Sequence, residues 1–371
     1  MKLVCLSYQL SHFIPIMNFI MNKKIDNCIF FGEGTMYSLV TKLGYKYICC
    51  KSKDYLNILE YRKNFQYCKI SKAYKELHDE VSWIIQEYNI SEMICDISRY
   101  MFYAPAGYQN RIKVTVFWTY NGPTHLNFYA YPQTCFPEKE SRLGCLGAWL
   151  KQFYCGEVKS KKIFFYFIYP YSFLFHPKFF LKLKYSIDGF FVDTNKIICG
   201  PHELTNYFDK KTEFDDKRIT FYLNGNKRAN YIFLKNDKKK IYVTLGTNNI
   251  RYDAGVEIVN HIITCLGEQE DICLIVNTGN VEITKFINNY KNVFYVKNIN
   301  QVKIVRNVDY VIFHGGFGTL KECYYYNKRM IVIPFLYDQY ANAKLVQNRN
   351  LGIALNIDEA KKINYCKLLN L

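Results

Sequence analysis

A chain of 371 residues, half of them apolar, is long enough to bury the cores of two domains of ordinary size. Its 49 Lys and Arg outnumber its 32 Asp and Glu by 17, an excess that favours an anionic partner without choosing among nucleic acid, acidic lipid and phosphorylated substrate. No apolar run reaches the ~20 residues of a membrane-spanning helix, and no RRM, C2H2 or helix-turn-helix signature stands out, so no nucleic-acid partner is expected.

In chain order, "KLVCLSY" reads as a strand and "IPIMNFIMNKK" as a helix with Pro15 near its first turn, where a missing N–H costs little. The opening residues have one early Lys and no small-residue cleavage site, which sets a cytoplasmic location as the expectation. "NCIFFGEG" is a second strand, "TMYSLVTKLG" a helix closed by Gly44, and "YKYICC" a third strand. Ile70, Tyr74, Leu77, Val81, Ile84 and Tyr88 recur at steps of four and three, the stripe of an amphipathic helix, and "EMICD" and "KVTVFW" add strands. Between Lys161 and Lys184, "KKIFFYFIYPYSFLFHPKFFLKLK" breaks the rhythm; its aromatics between basic ends suit a core strand and helix, or a flap that rests on lipid or binds the acceptor.

The polar, basic stretch "YLNGNKRANYIFLKNDKKK" marks a linker, placed at 226–240 between domains at 1–225 and 241–371. After it come "KIYVTLGT", a helix from Asp253 to about Leu266, "ICLIVNTG", a helix, "NVFYV", a short helix from Gln301, "DYVIFHGG", a helix, "MIVIPF" and a last helix. Strand and helix in alternation predict two α/β, Rossmann-like domains, each with a parallel sheet covered by helices. The 14 cysteines show no CxxC pair or zinc-finger spacing; Cys5, Cys28, Cys95 and Cys273 lie in apolar runs and read as buried thiols.

"VIFHGGFGTLKE" ends a strand and opens a helix with His314, Gly315, Gly316, Phe317, Gly318 and Thr319. Glycines let the backbone approach a ligand, helix-start N–H groups attract an anion, and a Thr hydroxyl adds a donor, so the pattern describes a diphosphate site. Glu322, one turn on, suits the paired hydroxyls of a ribose, and Asp338 with Gln339 after "MIVIP" suits sugar hydroxyls.

The signature "HGG.GT..E" followed by "P...DQ..NA" resembles that of the UDP-glucuronosyltransferase-type and macrolide-type glycosyltransferases, which have the GT-B fold. "IYVTLGT" resembles the strand and phosphate loop opening that family's second domain, and "NINQVKIVRNVDYVIFHGG" the segment in which a Gln, here Gln301, begins a short helix. Where the family usually places an aromatic residue and Pro before this Gln, Val296, Lys297, Asn298, Ile299 and Asn300 stand instead. The resemblance implies two Rossmann-like domains facing a cleft and a UDP- or dTDP-sugar donor. Its implied contacts are Gly246, Thr247, Gln301, His314, Gly315, Gly316, Gly318, Thr319, Glu322, Asp338 and Gln339.

Sugar transfer to a hydroxyl needs a base for the acceptor's proton and neutralisation of the departing diphosphate. "SHFIP" resembles the family's "GH..P", which implies His12 as base, and Asp96 at the end of "EMICD" resembles its orienting carboxylate. The chain has no DxD pair, so neither a bridging metal nor a further cofactor is expected; the resemblance implies inversion at the anomeric carbon. The acceptor stays open among lipid, glycan, protein and a small molecule such as a sugar, polyphenol or isoprenoid, with a peripheral enzyme at an acidic bilayer as one reading of the charge. Two other functions compete. A sugar-nucleotide epimerase of the same architecture fits "DQ..NA" less well, and a noncatalytic basic module with a relict nucleotide fold is disfavoured by intact His12, Glu322, Asp338 and Gln339.

Overall fold

The computed structural model describes residues 1–7, 10–52, 57, 67–119, 195–204, 212–215, 231–246, 253–279, 281–287, 289–297, 299–335 and 338–370. Thr247, residues 226–230 of the expected linker and the aromatic stretch 161–184 lie outside them. The described residues fall into two compact units, one holding those up to 215 and the other those from 231 on.

The first unit carries β1 (Lys2–Cys5), β2 (Cys28–Gly32), β3 (Lys46–Cys49), β4 (Glu92–Asp96), β5 (Lys113–Trp118), β6 (Asn195–Ile198) and β7 (Thr212–Phe214). They form one parallel sheet in the order β3-β2-β1-β4-β5-β6-β7. Alternate side chains of a strand face opposite ways, and here both faces are covered. Leu3 and Cys5 point into a core with Tyr74, Leu77, Val81 and Ile84, the apolar stripe expected of a helix and found on α3 (Tyr67–Glu87). On α1 (Leu10–Asn22), Phe13, Ile16, Met17, Phe19 and Ile20 are buried, and the Phe19 ring lies 5.5 Å from that of Phe117 on β5. Two further helices among the described residues of this unit are α2 (Tyr37–Lys42) and α4 (Tyr100–Gln109).

Helix α1 begins at Leu10, earlier than expected, and carries Pro15 inside it. A proline there removes the N–H that would bond back to the Ser11 carbonyl, and burial of the apolar face of α1 offsets that loss. His12 consequently sits in the first turn of the helix, and not in a loop before it.

The second unit has β8 (Lys239–Thr244), β9 (Ile272–Asn277), β10 (Val293–Val296), β11 (Tyr310–Phe313), β12 (Arg329–Val332) and β13 (Gly352–Ala354). They pair in parallel in the order β10-β9-β8-β11-β12-β13. Ile241 and Val243 pack with Ile258, Ile262 and Leu266 of α5 (Asp253–Leu266). Three further helices are α6 (Gln301–Arg306), α7 (Phe317–Tyr325) and α8 (Gln339–Asn348), and α9 (Ile357–Ala360) starts with a reciprocal capping box between Asn356 and Glu359.

Between β9 and β10 the expected helix is a single 3-10 turn at Ile283–Lys285. Residues 231–240 of the expected linker are held to the second unit. The Tyr231 hydroxyl accepts from the Asn300 N–H, the Phe233 ring lies 5.5 Å from that of Phe294, and Lys239 and Lys240 begin β8.

Candidate functional site

In an open parallel sheet, ligands bind beyond the carboxyl ends of the strands, where the strand order changes direction. In the first unit that switch lies between β1 and β4, and in the second between β8 and β11. Of the residues expected to act in catalysis, His12 follows β1 and Asp96 ends β4. Among the donor contacts, Gly246 follows β8, and His314, Gly315 and Gly316 follow β11. Each unit therefore carries its own cluster at its own switch point.

In the second unit the centre is His314. A Cβ on Gly246 would stand 2.8 Å from its Cε1, and one on Gly316 would stand 2.5 Å from its Nε2, so both glycines make room for this ring. Gly246 also has φ +73, a left-handed conformation that glycine adopts without strain. Burial pushes the imidazole down to about 4, while a hydrogen bond with the Thr244 backbone acts the other way, so the ring is neutral at pH 7. Its Nδ1 is buried with no hydrogen-bond partner. A buried orphan of this kind is costly unless a ligand satisfies it; an anion there would draw the single proton of the neutral ring to Nδ1, away from the Thr244 carbonyl, and accept from it.

Helix α7 starts just beside that ring. Gly316 is its N-cap and offers no side chain to the first-turn N–H groups, which leaves them as donors at the positive end of the helix dipole. The approach is fixed from below: Asn342 on α8 donates to the Gly315 carbonyl at 2.8 Å and to Asp338 at 3.0 Å. Gly315 has φ +88, and a Cβ there would meet Val332 at 2.9 Å. Gly318 is exposed, with no atom within 4 Å of its notional Cβ, so open space and not close packing surrounds it.

One turn along α7, Thr319 and Glu322 are largely buried. The Gln301 amide nitrogen donates to both, at 3.1 Å to the Thr319 hydroxyl and at 2.8 Å to Glu322 Oε2. Burial pushes the Glu322 carboxyl up to about 7, with the Gln301 hydrogen bond and the nearby Lys321 charge opposing. Gln339 is buried and its side-chain oxygen accepts the Phe335 N–H at 2.8 Å, so part of its expected sugar-binding capacity serves the loop after β12.

In the first unit, His12 Nδ1 lies 3.0 Å from both oxygens of Asp96, whose side chain is fully buried. An N–H donated to that carboxylate fixes the tautomer and places the basic lone pair on Nε2. Asp96 is itself held by the Ser98 N–H at 2.7 Å and the Ser98 hydroxyl at 2.6 Å, and the Thr119 hydroxyl stands 3.2 Å from His12 Nδ1. This is the arrangement of a general base with an orienting acid.

Ser98, Thr119 and Asn342 go beyond the residues singled out from sequence. Asn342 stands inside the "DQ..NA" motif, which is the signal that could have found it. Among the described residues no three His, Cys, Asp or Glu side chains form a metal-binding group, and no helix is long and apolar enough to cross a membrane.

Residues 241–365 match the model of the glycosyltransferase family 28 C-terminal domain. UDP-N-acetylglucosamine transferase subunit ALG13 of Candida albicans is 40% identical over 72 residues, which span 19% of this chain and 20% of that protein. The UDP-glucuronosyltransferase-type protein ugt-50 of Caenorhabditis elegans is 25% identical over 130 residues, 34% of this chain and 25% of its own. The chain thus spans about a quarter or less of the length of these curated relatives. Among solved structures, glycosyltransferase SnogD of Streptomyces nogalater has a TM-score of 0.66 at 12% identity, over 100% of this chain and 90% of its own. Spinosyn rhamnosyltransferase SpnG, solved with thymidine diphosphate, has a TM-score of 0.63 at 10% identity, over 100% and 92%. At such identities the likeness shows the fold alone. The second unit therefore matches the family 28 C-terminal domain, in a chain whose fold is that of the GT-B glycosyltransferases.

Proposed function

We propose that this protein is an inverting glycosyltransferase that takes a sugar from a UDP-sugar and passes it to an acceptor hydroxyl. The observation that carries the reading is the buried, partnerless Nδ1 of His314 beside the uncapped start of α7. A diphosphate oxygen would satisfy both, the Thr319 hydroxyl would add a donor to it, and Glu322, further along α7, would face the ribose of the attached nucleoside. UDP is preferred over dTDP because both curated relatives carry UDP in their names, one of them with N-acetylglucosamine.

His12 would take the acceptor's proton on Nε2 while Asp96 stabilises the imidazolium that forms. The acceptor oxygen then attacks the anomeric carbon from the face opposite the departing UDP, which inverts that centre. Charge on the leaving diphosphate would be met by main-chain N–H groups, the His314 imidazole and the Thr319 hydroxyl, a donor set that works without a bridging cation and without a further cofactor. The net charge of +17 supports a lipid-linked acceptor, reached by a cytoplasmic protein resting on an anionic bilayer.

Calorimetric titration with UDP, with and without EDTA, tests the donor half of this reading. Saturable binding that chelator leaves unchanged is expected; no heat at millimolar UDP would sink the donor site, and binding lost to EDTA would sink metal independence. Incubation with UDP-glucose and UDP-N-acetylglucosamine should then release UDP slowly. Co-sedimentation with anionic vesicles, weakening as salt rises, tests the lipid half.

A further inference from the structure

On the face of the second sheet away from Ile241 and Val243, a polar chain runs through an otherwise apolar layer. Tyr242 on β8, fully buried, accepts a hydrogen bond from the Asn277 amide at 3.0 Å and donates to the Gln301 side-chain oxygen at 3.3 Å. Gln301 in turn donates to Thr319 and to Glu322. Asn277 is anchored because its own oxygen accepts the Gly279 N–H at 3.1 Å. Every bond in this series points the same way, from the end of β9 towards the start of α7.

That direction has a chemical consequence at each end. An amide can be turned over, exchanging oxygen and nitrogen, and only its partners decide which way it sits. With the Tyr242 hydroxyl on its oxygen, Gln301 must present its nitrogen to α7. The Thr319 oxygen then accepts, so its hydroxyl hydrogen is directed elsewhere and remains a donor for an anion. Glu322 has one oxygen tied, and its Oε1 makes no hydrogen bond among the described residues, which leaves it as an acceptor for a ligand hydroxyl. Turned over, Gln301 would set its carbonyl oxygen against the Glu322 carboxylate and repel it.

We propose that Tyr242 and Asn277 are positioning residues for nucleotide recognition: through Gln301 they make Thr319 a donor to the diphosphate and Glu322 an acceptor from the ribose diol. The inference rests on the UDP-binding reading above and adds residues that touch no ligand. Two isosteric changes break the chain in different ways. Tyr242→Phe removes the hydroxyl and keeps the ring. Asn277→Asp keeps the oxygen that accepts from Gly279 but replaces the donor with a second acceptor, so the tyrosine hydroxyl is drawn away from Gln301.

The experiment is calorimetric titration of the full chain and both variants with UDP and with 2′-deoxy-UDP, alongside thermal melting. The wild type should prefer UDP over the deoxy compound, because the diol reaches Glu322. Both variants should bind UDP about tenfold more weakly and lose most of that preference, the scale of a hydrogen bond to a charged group. A merely structural role would move the melting temperature and leave the UDP to deoxy-UDP ratio alone. A preserved ratio in variants that fold would overturn the proposal while leaving UDP binding intact. Should Tyr242→Phe fail to fold, the ratio in Asn277→Asp decides. Absence of UDP binding by the wild type would overturn the donor reading and this inference together.

Discussion

The two switch points share a topology and differ in chemistry. Beyond β1 and β4 stands an acid–base pair, His12 against a buried Asp96, with the ring partly open to solvent. Beyond β8 and β11 stands another histidine, but His314 has no carboxylate partner, is pushed down to about 4 by burial, and sits among glycine backbones. In the proposed reaction the first imidazole would exchange a proton, and the second, neutral at pH 7, would hold its single N–H towards an anion. The parallel sheet supplies the location in both, and the residue opposite the ring decides the use.

The largest effect should come from breaking the first region alone. His12→Ala is expected to lower sugar transfer by ~10²- to 10⁴-fold, the usual contribution of a general base. UDP affinity should stay within about twofold, since independent sites act separately. Transfer assays paired with UDP titration check both halves, and equal losses in the two would erase the distinction between the regions.

A crowded second region should fail in the opposite sense. In Gly316→Ala the new methyl would lie 2.5 Å from His314 Nε2, so the ring must move, at about 1–3 kcal/mol of overpacking. UDP binding is expected to weaken and thermal stability to drop, while the His12–Asp96 pair keeps its geometry. Gly318→Ala is the matched control for stability, because nothing lies within 4 Å of its notional Cβ.

Glu322 sharpens the contrast through pH. Its folded value of about 7 lies above the ordinary 4.5, so its contribution to stability is fully present below about 4.5 and is lost as pH rises through about 7. Nucleotide binding, which favours the ionised acceptor, should strengthen over the upper part of the same interval. Glu322→Gln should flatten both profiles; melting curves and UDP titrations from pH 5 to 8 would show it.

The smallest effect is expected far from either cluster, at the amino ends of the first sheet. Glu92 there is bridged by Lys2 at 2.7 Å and Lys113 at 3.0 Å. Burial raises its carboxyl, but the two lysines prevail and hold it below the ordinary value. The stability it adds is present above the unfolded carboxylate range and lost as pH falls through the folded value. Because Lys113 is exposed and Lys2 partly so, Glu92→Gln should cost no more than ~1 kcal/mol at neutral pH by denaturant melting.

Much of this architecture is written in residue spacing. The stripe of Tyr74, Leu77, Val81 and Ile84 and the run from Asp253 to Leu266 have one helical reading each, because three- and four-residue steps suit no strand. The glycine-rich turn after β11 announced a strand-to-helix junction in the same way. Pro15 misled because a local rule about prolines says nothing of the apolar surface that holds α1 together across it. Asn277 and Tyr242 were hidden for a different reason: within "IYVTL" and "ICLIVN" they look like members of buried strands, and only pairing β8 with β9 brings them side by side. The sequence assigns the glycines near His314 to closeness to phosphate; the structure adds that Gly246 and Gly316 also clear space for the imidazole.

The packing of that ring between Gly246 and Gly316 bears on how such a site can change over time. The three positions come from two loops far apart in the chain, yet none has slack to absorb a substitution at another. A lineage that enlarges either glycine loses the histidine's seat at once, and one that replaces the histidine leaves a hollow beneath the helix start. Descendants should therefore keep the trio together or abandon it together, and a homologue with only two of the three would have repacked the start of the helix from other parts.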